Sequence, residues 1–599
     1  MKDNRRMRNQ NLYGWGAMVM LILLLIGPAI LSAEVIGDGV DLHGTIWFYG
    51  WIYDCINSLK NPSFTEQFYY PYGKDIFAHT GNNFVDAVLF YPFRLCLDYP
   101  YNYLFFIAFI LILNCFSLNK LLRNFIGSST VIWSATLFML SSPFVLFELI
   151  AGRPTQACLF ATPMAMLQLI EILNGDFRVR RAIYLGFWVA LQGYIYWFYG
   201  YFLVGVLCML YLSHRQIHGV NRWRIFMSMS LSILVCMICV GPMVWGMLGR
   251  LEQELVPGMS NFPVEFGTLP NLQNNVQTTL HGILQLEGDT QPVFTVLPWG
   301  FGLLLTVFHP KTRWNWGLAL CFTLIASVGP VLELGEHSIQ NYPYLWAYHY
   351  LPFYGRLWFP YRWVSMSTII IVVGTAIVVE HWASKHVIRI HPVSIVVPFL
   401  LAAPQLASHK MLPLESVSLN TPSIYMEMAK YGGALIELPI GISKPSLAYQ
   451  ADHHMPTFGG MGENARIFSP PGHLKRLQNG FIRYLRNVVS HPKDAGKFNS
   501  FQLQRLTDQG YRFVVLDRAL AEAYATFNED ANIRNRKPFE VQELLSQQLG
   551  KPWAIENRYI VWALVDTPPA IQRFQPTQEN LSEYNWEPET VLLEVEGMN

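Results

Sequence analysis

Apolar residues gather into long runs separated by short polar stretches, and the runs stop near Leu406. A helix crosses hydrocarbon with about 17 to 25 consecutive, mostly apolar residues. Runs approaching that length lie at Trp15–Ala33, Tyr103–Leu122, Val131–Ile150, Thr155–Leu173, Ala182–Trp197, Phe198–Leu212, Phe226–Leu248, Phe294–Phe308, Trp316–Leu334, Trp363–Trp382 and Pro392–Leu406. The pattern predicts a polytopic α-helical membrane protein with about 11 transmembrane helices. One stretch, Ala182–Leu212, is broken by the aromatic, glycine-containing run Tyr194–Gly200. Tyr and Trp favour the headgroup level, so an interfacial turn between two short helices is expected there.

Beyond about Ala407 the pattern changes to that of a soluble domain. Ala434–Pro439, Tyr511–Asp517 and Tyr559–Val565 read as short buried strands, and Ala519–Phe527 as a helix. The expected organisation is a transmembrane domain over 1–406 and an α/β domain over 407–599. All eight cysteines precede the second domain, so no disulfide is expected in it. Cys236 and Cys239 have CxxC spacing, but within an apolar run packing is the expected role.

Charge orients the spans. Lys2, Arg5, Arg6 and Arg8 share a side with Lys120, Arg123, Arg178, Arg180, Arg181, Arg215, Arg222, Arg224, Lys311, Arg313, Lys385 and Arg389. The opposite loops carry Asp38, Asp41, Glu66, Asp75, Glu252, Glu254, Glu265, Glu287 and Asp289. Cytoplasmic loops are the basic ones. The N-terminus is therefore expected in the cytoplasm and the C-terminal domain outside a cytoplasmic (inner) membrane, with the first span an uncleaved anchor. Of the 599 residues, 52% are hydrophobic and 14% charged, against about 25% charged in ordinary soluble domains. That balance excludes a soluble or disordered chain, and a net charge of +1 argues against a nucleic-acid partner.

The long first external loop, 34–83, is where candidate chemistry gathers. Asp38, Asp41 and His43 stand among glycines directly after the first span, a set suited to a proton-accepting base or a metal. The same residues also read as an acidic interfacial loop. Trp47–Leu59 has apolar residues at spacings of three and four, which predicts an amphipathic helix lying in the interface. Tyr70, Tyr72, His79 and Asn82 follow, with aromatic faces and polar partners suited to a sugar, or simply to interfacial anchoring. The second long external loop, 250–293, contains His281, a weak candidate on the acceptor side. The histidine pair His453 and His454 is expected at the surface.

Taken together, Gly37–Asp41, the aromatic helix, Phe68–Gly73, His79–Asn82, Phe147–Gln156, Phe353–Arg362, Leu435–Pro439 and Gly459–Gly460 resemble bacterial membrane proteins of the GT-C glycosyltransferase superfamily. Relatives include protein O-mannosyltransferases and aminoarabinose transferases. The resemblance covers most of the chain through loose motifs. It implies transfer of a sugar, with inversion, from a polyprenyl-phosphate donor to an external glycan, lipid or protein acceptor. It implies that Asp38 is the base or a metal ligand and that Asp41 assists. Use of a divalent metal (Mg or Mn) is left open. The leaving lipid phosphate needs fixed cations, and outside-facing arginines are scarce in this chain, which makes Arg153, Arg356 and Arg362 the candidates. Arg153 stands five residues after Glu148, so an intramembrane ion pair is its other reading, and Arg362 could instead snorkel at a helix end. A transporter or flippase of a lipid-linked glycan is the alternative from another class. Matching interrupted helices in two halves, its usual sign, are not visible. A non-catalytic membrane scaffold is the third.

Overall fold

The structure, a computed structural model, describes residues 2–38, 40–76, 84–214, 222–254, 297–334, 337–351, 354, 357, 359–386, 391–440, 445–460, 470–490, 495–527 and 538–565. It divides into two compact units. The first takes the described residues within Met1–Asp38, Thr80–Gly249 and Met259–Ser418, the second those within Gly39–His79, Arg250–Gly258 and Leu419–Asn599.

The first unit is helical. Among the described residues, six helical stretches are long and apolar enough to cross a membrane: Asn11–Ser32, Tyr101–Leu122, Ser129–Ile150, Pro154–Leu173, Arg222–Met247 and Pro360–Lys385. Three more, Trp197–Ser213, Leu297–Phe308 and Ser394–Ser408, are apolar but shorter. Ser129–Ile150 is two helices in series, α1 (Ser129–Met139) and α2 (Pro143–Ile150). The break has a local cause: the Ser142 hydroxyl accepts from the Val145 N–H, and Pro143 takes the first helical position, where its missing donor costs nothing. A short turn, α3 (Pro154–Ala157), and then α4 (Ala161–Leu173) follow. The aromatic knot separates α5 (Val179–Ile195) from α6 (Trp197–Ser213) through the extended residue Tyr196.

One expected span is shorter than its apolar run. Over Trp316–Leu334 the helix ends at Ser327, and Val331–Leu334 forms a strand paired antiparallel with His337–Gln340. Gly329, at φ +81°, and Pro330 account for the stop: glycine allows the left-handed turn, and proline cannot continue the helix. A second small pairing joins Val35–Ile36 to Ser416–Val417, so the exit of the first helix is pinned to the end of the last.

The second unit carries a four-stranded sheet built from βa (Ala434–Leu438), βb (Tyr511–Asp517), βd (Tyr559–Ala563) and βc (Ala554–Glu556), in that spatial order. The first two strands are parallel and the other pairings antiparallel. Its core includes Ile436, Leu438, Phe481, Leu485, Val514, Leu516 and Trp562. The amphipathic helix is also here, extended to Val40–Ser58. Most of its apolar face is not open to an interface, although Ile56 near its end and Leu59 just past it are exposed. Trp47, Phe48, Ile52 and Cys55 are buried, and a Cβ on Gly50 would stand 2.8 Å from the Cβ of Ala451 in the helix Ser446–His453. An amphipathic face can be buried by lipid or by protein with the same pattern, and here protein covers the part at Trp47, Phe48, Ile52 and Cys55.

Candidate functional site

The site begins with an irregular stretch inside the helical unit. Backbone that leaves helical geometry at membrane depth must find its hydrogen bonds within the protein, and the stretch from Gly152 to Phe160 does so thoroughly. The Thr155 hydroxyl donates to Asp86 (2.7 Å), and the Tyr199 hydroxyl to the Gln156 carbonyl (3.0 Å). Asn114 donates to the Ala157 carbonyl (2.8 Å) and accepts from the Leu159 N–H (2.9 Å). Gln192 donates to the Cys158 carbonyl (3.2 Å). Asp86 and Gln192 are fully buried, and Asn114 nearly so. Side chains from several helices thus fix this short loop, and with it Arg153.

Arg153 and Glu148 form a buried ion pair. The Arg153 Nε donates to one Glu148 oxygen at 2.6 Å, and the Tyr361 hydroxyl donates to the other at 3.2 Å. Tyr361 also accepts from the Arg153 Nη2 at 3.4 Å. Glu148 has no exposed surface, so its charge is balanced inside the protein by Arg153.

Arg362, the next residue after Tyr361, is placed differently. Its Nη1 donates to the Tyr196 hydroxyl, and its guanidinium lies 5.4 Å from the Tyr196 ring and 5.0 Å from the Phe359 ring. Its Nε is buried without a hydrogen-bond partner, and among the described residues no carboxylate pairs with it. The residue sits in the turn Pro360–Trp363 that enters the 22-residue helix Val364–Lys385. The positive end of that helix dipole adds to its own charge. Among the described residues, two arginines stand against one glutamate in this cluster, an excess of one positive charge.

Asp38 reaches the same neighbourhood through its backbone. Its N–H donates to the Ile150 carbonyl at 3.0 Å, at the end of α2 and just before Gly152 and Arg153. Its side chain is exposed. Gly37 permits the approach: it adopts φ +113°, and a Cβ there would lie 3.0 Å from the Ile150 oxygen.

The other expected site residues separate into three groups. Asp41 lies in the first turn of Val40–Ser58 in the second unit and is exposed. His43, expected in an open loop, is only 4% exposed within that unit. Burial and the nearby Arg558 charge push its pKa down to about 3, which keeps it neutral. Tyr70, expected to offer a stacking face, packs edge-on against Tyr511 at 5.6 Å, beside the sheet core. Tyr72 is more exposed, with the Arg476 guanidinium 4.8 Å over its ring. His453, expected at the surface, is buried and stacks on Tyr425 at 5.1 Å. His79, Asn82, His281 and Arg356 lie outside the described residues.

Sequence reading missed Tyr196, Tyr361 and Asp86 as partners in this cluster. The aromatic run at Tyr194–Gly200 and the Tyr361–Arg362 pair were visible, but their hydrogen bonds join residues some 200 positions apart. Among the described residues, no group of three His, Cys, Asp or Glu side chains converges as a metal site.

No protein-family model matches the chain, and no curated protein matches it. Solved structures do. The arabinofuranosyltransferase AftD from Mycobacteria is similar at a TM-score of 0.54 and 15% identity, over 94% of this chain. This chain spans 42% of AftD. The oligosaccharyltransferase AglB from Archaeoglobus fulgidus, in complex with an inhibitory peptide and a dolichol-phosphate, aligns at TM-score 0.48 and 13% identity over 86% of this chain and 71% of its own. Its apo form gives 0.48 and 13% over 87% and 72%. AftD and AglB are both GT-C membrane glycosyltransferases. The chain is a multi-pass membrane protein with the fold of the GT-C superfamily.

Proposed function

We propose that this chain is a membrane glycosyltransferase that takes a sugar from a polyprenyl-phosphate carrier and passes it, with inversion, to an acceptor hydroxyl outside the cytoplasm. The observation that carries this reading is Arg362: a half-buried guanidinium with no carboxylate partner among the described residues, at a helix N-terminus, beside an already neutralised Glu148–Arg153 pair. A cation held that way is prepared for an anion that arrives with the substrate.

In the reaction, the acceptor oxygen attacks the anomeric carbon from the face opposite the phosphate. The bond from that carbon to the phosphate oxygen breaks, and its electron pair leaves with the lipid phosphate. Charge on the phosphate rises from one negative to two, and Arg362 and the helix N-terminus stabilise the increase. The acceptor proton goes to Asp38, whose exposed side chain is carried by backbone fixed at the end of α2. Glu148 acts as a positioning residue: both its oxygens are occupied, and it holds Arg153 and Tyr361 in place. In the alternative in which a divalent Mg or Mn ion takes part, Asp38 would be a ligand to it instead of the base. The second unit, with its α/β sheet, is assigned to acceptor recognition outside the membrane.

The reading is tested by transfer. Purified protein in lipid nanodiscs receives radiolabelled polyprenyl-phosphate sugars and a membrane extract as acceptor source. Label should move to the acceptor with wild type and not with Asp38→Asn. No transfer from any donor, with donor flipping in vesicles instead, would establish the transporter reading.

A further inference from the structure

In the loop that carries Arg153, nearly every polar group has been given a partner, and the exception is informative. Thr155, the Gln156 carbonyl, the Ala157 and Cys158 carbonyls and the Leu159 N–H each meet a buried side chain from another helix. The side-chain oxygen of Gln156 meets none, although the residue is only 7% exposed. A buried amide oxygen without a hydrogen bond is costly and uncommon in native proteins. One reason for a protein to keep it is a ligand that completes the bond.

Its position agrees. The Gln156 N–H donates to the Arg153 carbonyl at 3.0 Å. Arg153 is the non-helical residue that opens the short turn Pro154–Ala157, so the two residues share one brief loop between α2 and α4. Its carbonyl is held by Tyr199, an aromatic residue whose ring stands 4.8 Å from that of Tyr196, the partner of Arg362. The chemistry separates what a guanidinium and the unpartnered Gln156 oxygen can read, although the NH2 of the same amide donates. Guanidinium groups only donate, so they suit phosphate. An amide oxygen only accepts, so it suits an O–H and has nothing to offer an ionised phosphate.

We propose that Gln156 is a substrate-binding residue that accepts a hydrogen bond from a hydroxyl of the donor's sugar, while Arg362 holds the phosphate. This rests on the transferase reading above and deepens it: the site then distinguishes a sugar-bearing lipid phosphate from the bare carrier it releases.

The test is equilibrium binding to full-length protein in nanodiscs. The probes are bare polyprenyl phosphate and the same lipid phosphate carrying mannose, glucose or arabinofuranose. Gln156→Met keeps the volume and removes the amide, and its thermal midpoint should match wild type because no bond is lost. It should bind at least one sugar-bearing probe about tenfold more weakly than wild type does, with bare polyprenyl phosphate unchanged. Gln156→Asn, whose shorter amide falls short of the same point, should reproduce the effect and serves if the Met variant does not fold. Equal weakening of bare and sugar-bearing probes overturns the inference, as does no weakening of any sugar-bearing probe. Failure of wild type to bind bare polyprenyl phosphate would overturn the transferase reading, and this inference with it.

Discussion

Glu148 is fully buried, and its carboxylate is satisfied by Arg153 at 2.6 Å and Tyr361 at 3.2 Å. Replacing it with Gln keeps the shape and removes the charge. Arg153, whose side chain is 14% exposed, is then left as a nearly buried cation without its counter-ion. Removing one partner of a buried pair costs about 3 to 5 kcal/mol. The remaining amide oxygen of the variant still accepts one bond, so the lower end, about 3 kcal/mol, is expected. Arg153→Met should cost a similar amount, because it strands Glu148 where no water reaches. The double variant removes both charges at once and should also cost about 3 kcal/mol, well short of the sum. The assay is reversible denaturation in lipid–detergent mixtures followed by tryptophan fluorescence, with all four proteins compared as a double-mutant cycle. A coupling of about 2 kcal/mol or more is expected. Additivity to within about 0.5 kcal/mol would refute the pairing and, with it, the argument that Glu148 is already neutralised.

Other expectations follow from the same geometry. Gly37→Ala forces a side chain into φ +113° and toward the Ile150 oxygen, at a cost of about 1 to 3 kcal/mol. Transfer should fall because Asp38 is displaced, while bare polyprenyl phosphate still binds; unchanged transfer would show that this contact does not position Asp38. In the second unit, burial holds His43, His453 and His473 at a pKa of about 3, below the unfolded value near 6.5. Between those values the unfolded chain binds more protons, so their contribution is present above pH 6.5 and is lost as pH falls toward 3. The thermal midpoint should drop between pH 6.5 and 5, and less steeply in His473→Gln; equal slopes would refute the assignment for that residue.

The sequence made the scaffold legible where periodicity and burial have one solution. Apolar runs located the six stretches that, among the described residues, are long and apolar enough to cross a membrane, and continuous apolar segments located Ala434–Leu438 and Tyr511–Asp517 as strands. Arg153 and Glu148 could be paired in advance because five residues separate them across one short turn. Other features depended on what the chain meets after folding. The apolar face of Val40–Ser58 fits lipid or protein equally, and only packing against Ser446–His453 decides. The bonds of Tyr361 to Glu148 and Arg362 to Tyr196 arise when distant helices meet, which no local spacing encodes. His43 looked available beside two aspartates, yet a helix begins at Val40 and turns it inward.

The central claim is that Arg362 receives the lipid phosphate, and binding of bare polyprenyl phosphate tests it most directly. Arg362→Gln should weaken that binding by about tenfold to a hundredfold, the loss of charge-assisted hydrogen bonds. Its thermal midpoint should hold, since no carboxylate among the described residues depends on Arg362. Undiminished affinity in Arg362→Gln, with the protein folded, would contradict the account.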